Sequence, residues 1–202
     1  MTPAREANLL PETVAPADPV RAVFGRRHVV DAVVPNAGFL IGYLTLGAMG
    51  GVVVALILAS VLVVVRAAAG QPLRLITLSF CGVLLQAGLV LGTGEGRNFF
   101  LSWLALNTAL ALVFAGSLLR GRPATAFVAR RMDLPDDLAV HRKLTGYWLG
   151  LWALHLVVGI PLYVANQVVA LGIAHFVLGL PMLFVLALIS WRKVTAGRPL
   201  EQ

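Results

Sequence analysis

The sequence predicts an all-α protein: a polytopic transmembrane helical bundle of six spans with N- and C-termini cytoplasmic. Three observations carry this prediction. Apolar residues make up 59% of the 202-residue chain and charged ones 12%, and the mean hydropathy is +0.87, far from soluble-domain averages. The apolar residues form runs near or above the roughly 20 residues that cross a hydrocarbon core. The Lys and Arg residues sit in short clusters at the ends of those runs, which is the pattern the positive-inside rule produces. For that reason the net charge of +7 and the pI near 10.8 do not point to nucleic acid.

In chain order, residues 1–28 read as a disordered cytoplasmic lead, since Pro3, Pro11, Pro16 and Pro19 stand among small and polar residues with little apolar surface to offset ordering. Asp18 and Pro19 form a helix-start signal, and Val20, Val23 and Phe24 share one face of a short interfacial helix whose Arg21, Arg26 and Arg27 meet anionic headgroups. No cleavable secretion signal is expected, because the first apolar run begins only near Val29.

The membrane domain covers 29–191, with spans near 31–48, 50–65, 73–91, 99–119, 144–165 and 168–189, followed by a cytoplasmic tail, 192–202. The first break belongs at Gly47 to Gly51, where glycines permit a tight turn, with a re-entrant first segment as the competitor. Gly70, Gln71 and Pro72 form the next turn, and Gly92 to Asn98 the one after it. If the six spans alternate from a cytoplasmic N-terminus, 15 of the 16 Lys and Arg residues lie inside, leaving Arg97 outside. Phe99, Phe100 and Tyr163 then fall near the outer boundary, and Tyr147, Trp148 and Trp191 near the inner one. The glycine pairs Gly38/Gly42, Gly88/Gly92 and Gly146/Gly150 each put two glycines on one helix face, a spacing that lets helix backbones approach.

The sharpest local pattern is a tandem, His155-Leu-Val-Val-Gly159-Ile160-Pro161 and His175-Phe-Val-Leu-Gly179-Leu180-Pro181, in the last two spans. At 1.5 Å per residue the two histidines lie roughly 16 and 21 Å from the cytoplasmic side, so they are able to meet across an antiparallel pair. Intramembrane titratable groups often mark proton or substrate routes. The plainer reading is a neutral histidine donating one interhelical hydrogen bond, with Pro161 and Pro181 kinking their helices. Asn36, Gln86 and Asn107 are the other strongly polar intramembrane side chains and read as interhelical contacts before they read as ligands. Glu95 and Arg97 read as a solvated surface pair, and Cys81 as packing.

Between the fourth and fifth spans lies a charged loop in which Arg120, Arg122, Arg130, Arg131, Arg142 and Lys143 face three acids, Asp133, Asp136 and Asp137. These six cations are the candidates for contact with lipid headgroups or cytoplasmic partners. The common phosphate-loop, metalloprotease, nucleophile-elbow and Asp-rich diphosphate motifs are missing from the sequence, so no cofactor and no metal is expected.

The order Gly116-Ser117, Gly121-Arg122-Pro123, Leu134-Pro135-Asp136, Arg142-Lys143-Leu144, Trp148 and Leu162-Tyr163-Val164-Ala165 resembles the intracellular septation protein A family. Asn98-Phe99-Phe100 and Asn107 resemble its uncharacterised actinobacterial relatives. The resemblance runs from about Val34 to Lys193 and is best after Asn98. It implies a small multi-pass protein of the inner, cytoplasmic membrane that serves envelope synthesis and division through membrane partners, with no catalytic residues to carry over. It also implies basic side chains where this chain has His155 and His175. Three functions therefore compete. The first is a non-catalytic scaffold of the septation type, with a homo-oligomer left open. The second is a membrane-embedded isomerase or cyclase for a lipophilic substrate, using His155 and His175 as acid and base. The third is a small proton-coupled transporter.

Overall fold

The computed structural model describes residues 26–70, 73–132, 134, 135 and 137–195, and among them every regular element is helical. The lead 1–25, Gln71 and Pro72 of the expected turn, Asp133, Asp136 and the tail after Thr195 lie outside the described residues, as do the side chains of Arg27 and Asp31. In chain order the elements are α1 (Arg26–Ala68), α2 (Leu73–Thr93), a 3-10 turn (Gly96–Phe100), α3 (Leu101–Leu119), α4 (Ala124–Arg131), α5 (Leu138–Val164), α6 (Val168–Leu178) and α7 (Leu180–Thr195). Four stretches are long and apolar enough to cross a membrane, Val33–Ala68, Gly96–Leu119, Leu138–Val164 and Val168–Thr195, and Phe80–Thr93 is a shorter apolar helix.

The first of these stretches is folded back on itself. Gly47 has φ 74° and ψ −167°, a backbone conformation essentially confined to glycine. It divides α1 into arms 26–46 and 48–68 that pack face to face. A Cβ on Gly42 would meet the carbonyl oxygen of Gly50 at 2.6 Å, and one on Gly51 would meet that of Phe39 at 2.8 Å. A Cβ on Gly38 would collide with Leu58. Residues that a straight helix would hold far apart are thus in contact, and glycine is what lets the two backbones come this close. The pairs Gly88/Gly92 and Gly146/Gly150 do no such work, because a Cβ at any of the four meets nothing within 4 Å.

The core is built from small residues and rings. Phe39 stacks on Phe99 with centroids 3.8 Å apart, and Phe100 meets both edge-on. Val52, Ala55 and Ala59 of the second arm and Val83, Ala87 and Val90 of α2 complete it. Their spacings mark the helix faces that pack inward. Leu44, Leu46, Ile57, Leu78, Leu112 and Val157 point outward, which is costly in water and ordinary against lipid tails.

Element bounds depart from expectation where capping or packing decides them. α5 begins at Leu138 rather than 144 because Asp137 caps it, accepting from the Ala139 and Val140 amides at 2.8 and 3.3 Å. The expected last span is broken at Gly179, where ψ is −114°, and continues as α7 to Thr195. The break sits at the glycine, and Pro181 follows inside the first turn of α7, where a missing N–H does no harm. Pro161 lies inside α5, which carries on to Val164.

At the α2–α3 corner the Arg97 Nε donates to Glu95 at 2.7 Å, and its guanidinium also donates to the Tyr163 carbonyl and lies 5.1 Å from that ring's centre. The Tyr163 hydroxyl donates to Asn98, whose amide donates to Thr93 at 2.7 Å. The expected solvated pair is therefore part of a latch that ties this corner to the end of α5.

Candidate functional site

Trp103 of α3 holds the two motif histidines together. Its ring meets His175 edge-on with centroids 5.0 Å apart and His155 at 5.6 Å. Phe100, one turn earlier, lies 6.0 Å from His175, and Trp152 lies 5.8 Å from His155. The motif glycine explains how the indole fits: a Cβ on Gly159 would stand 2.6 Å from Leu104 and 3.2 Å from the Trp103 ring. Gly179, its counterpart in the second half of the tandem, breaks the helix instead. The repeat in sequence is thus not a repeat in structure.

His155 is 1% exposed, and its Nδ1 lies 2.7 Å from the Leu151 carbonyl. A carbonyl only accepts, so Nδ1 is the donor of this bond. The Nδ1 of His175, the Nε1 of Trp152 and the Oδ1 of Asn107 are buried with no hydrogen-bond partner among the described residues. Asn107 stands one turn beyond Trp103 and donates to its carbonyl at 2.7 Å. Asn107 is thus on the same face of α3 as Trp103, one turn along. Asn36 is buried in the first arm of α1, and Gln86 is half-buried in α2.

The charged interval from Arg120 to Lys143 is folded rather than an open loop. Arg122 N–H donates to the Ser117 carbonyl and Gly121 N–H to the Leu118 carbonyl, with Gly121 at φ 65°. This pair of bonds satisfies the last carbonyls of α3 and turns the chain toward Pro123 and α4. α4 is then pinned to α5. The Thr125 hydroxyl lies 2.8 Å from that of Thr145, 2.9 Å from the His141 carbonyl and 3.3 Å from the His141 Nδ1. His141 is 1% exposed, and its Nε2 lies 3.0 Å from the Pro135 carbonyl, so Nε2 donates and the ring clamps the connecting strand of chain. Arg120, Arg122, Arg130, Arg131, Arg142 and Lys143 are all exposed around this clamp. Phe127 and Val128 stand out beside them at 62% and 55% exposure, with Arg131 5.0 Å over the Phe127 ring.

The sequence pointed to His155 and His175 but not to Trp103, His141, Thr125 or Thr145. Nothing in the sequence joins Thr125 to residues 16 and 20 positions away. His141 resembled one more polar residue in a charged run, and only its i, i+4 spacing to Thr145 marked a shared helix face.

The family whose sequence profile matches residues 23–200 is described as a protein of unknown function (DUF3159). No curated protein and no solved structure matches the chain.

Proposed function

The chain belongs to the DUF3159 family, and from that premise we propose that it is a non-catalytic scaffold of the septation-protein type, holding division or envelope-synthesis partners in the cytoplasmic membrane. The two arms of α1, α2, α3, α5 and the α6–α7 pair cross the bilayer as six spans, with both termini cytoplasmic. The arms of α1 have 21 residues each, about 31 Å at 1.5 Å per residue, enough for two crossings. The observation that carries the proposal is the pinned α4. A basic surface with exposed Phe127 and Val128 is held at the membrane boundary by a clamp built on the buried His141 and Thr145, and order of that kind suits docking better than it suits a mere topogenic signal.

The histidines support the same reading, because His155 is enclosed beside Trp103 and Trp152 and His175 is half-buried against Trp103 and Phe100. One observation favours the rival isomerase or cyclase: the His175 Nδ1 and Trp152 Nε1 are left for a polar group to satisfy. A deletion strain separates the two. Longer cells with widely spaced septa, restored by wild type and by His155→Ala/His175→Ala together, are expected. Normal division, with a lipophilic metabolite accumulating in lipid extracts, would replace the scaffold with the enzyme.

A further inference from the structure

We propose that the end of α3 is a binding site for one anionic phospholipid, with an acyl chain on Leu112, Val113 and Gly116 and the phosphate on Arg120 and Arg122. A groove of about 700 Å³ runs along this helix end, lined by those residues with Ser117 and Leu119. Its floor follows from spacing, since 112, 116 and 120 recur every four residues and stand on one face. Gly116 makes the notch, because a Cβ there would meet nothing within 4 Å. From Leu112 to Arg120 the groove extends about 12 Å along the axis, close to the depth of one leaflet's hydrocarbon.

The helix terminus brings the two basic residues together. The two bonds that close α3, from Arg122 N–H to Ser117 and from Gly121 N–H to Leu118, bring residue 122 back over residue 117. The Ser117 hydroxyl fixes that return, donating to the Phe114 carbonyl at 2.8 Å and accepting from the Ala124 amide at 3.1 Å. Arg120 and Arg122 thus line one end of a groove lined elsewhere by Ser117 and apolar residues, and no ion pair to either is found among the described residues. An apolar groove with cations at one end complements a lipid with a phosphate above its chains, and Arg matches phosphate through paired donors. This inference rests on the topology proposed above, which puts residue 120 at the cytoplasmic boundary. It does not depend on any partner protein.

The test is native mass spectrometry of the full chain in detergent, titrated with dioleoylphosphatidylglycerol or dioleoylphosphatidylcholine. Wild type should hold one phosphatidylglycerol with a preference of about tenfold or more, the scale expected for two arginines at a headgroup. Arg120→Gln/Arg122→Gln should abolish the preference, and Gly116→Leu, which fills the notch and keeps both charges, should weaken the first lipid of either type. Arg192→Gln/Lys193→Gln, an equal loss of charge elsewhere, should leave the preference intact. An unchanged preference in the first variant, or an equal fall in the last, would overturn the site. So would displacement of the lipid by millimolar inorganic phosphate, which would make it a free-anion site. Sidedness does not enter the readout, so a failed topology and a failed groove are distinguishable.

Discussion

At the residue scale the packing is decided by a few positions at which a side chain is either forbidden or required. Gly159 faces the Trp103 ring and Leu104, whereas Gly146 and Gly150 on the same helix face open space. Gly159→Leu should therefore destabilise the bundle by about 1–3 kcal/mol through overpacking. Gly150→Ala should be neutral or slightly stabilising. Thermal unfolding in detergent compares them, and equal midpoints for the two variants would contradict the placement of Trp103. Gly47→Ala should also be costly, by about 1–3 kcal/mol, because the alanine would have to adopt a conformation open in practice only to glycine. The histidines were legible because H-x-V-x-G-x-P occurs twice. Their partner Trp103 was not, since a tryptophan in an apolar run carries no mark of the helix it will face.

At the scale of elements, α4 is the part the sequence concealed most. The clustering of arginines announced a cytoplasmic segment, and that reading uses charge alone. The clamp among Thr125, His141 and Thr145 arises only when the chain turns at Gly121 and brings α4 onto α5. His141→Ala would leave the Thr125 hydroxyl and the Pro135 carbonyl without their ring partner, at a cost of about 1–3 kcal/mol. That loss should be local, so trypsin should cut after Arg130 or Arg131 several-fold faster while the bundle's thermal midpoint moves little. A large fall in the midpoint with no gain in cleavage would mean that the clamp supports the bundle instead. The hairpin of α1 was easier to foresee, because Gly47, Gly50 and Gly51 interrupt a run too long for one crossing. What the spacing did not distinguish was which glycine pairs meet another part of the chain and which face open space.

At the scale of the whole molecule, four stretches are long and apolar enough to cross a membrane, and the proposed six crossings with basic segments inside predict a sidedness that labelling reads. In a Cys81→Ser background, Asn166→Cys, at the exposed α5–α6 corner, should react with a membrane-impermeant maleimide from outside intact cells. A cysteine at Leu138 should react only after lysis. The reverse pattern would invert the bundle and move the basic surface to the outer face. Function was the least legible level: the totals excluded soluble chemistry, and the family brings no activity with it.

The most direct measurement is complementation of a deletion strain with Val128→Asp/Arg131→Glu, which changes exposed α4 side chains, beside His155→Ala/His175→Ala. Matched membrane levels are confirmed for both. A scaffold working through α4 predicts that the first variant leaves cells elongated and the second restores normal septum spacing. Rescue by the α4 variant and failure of the histidine variant would contradict it and place the function in the ring cluster around Trp103.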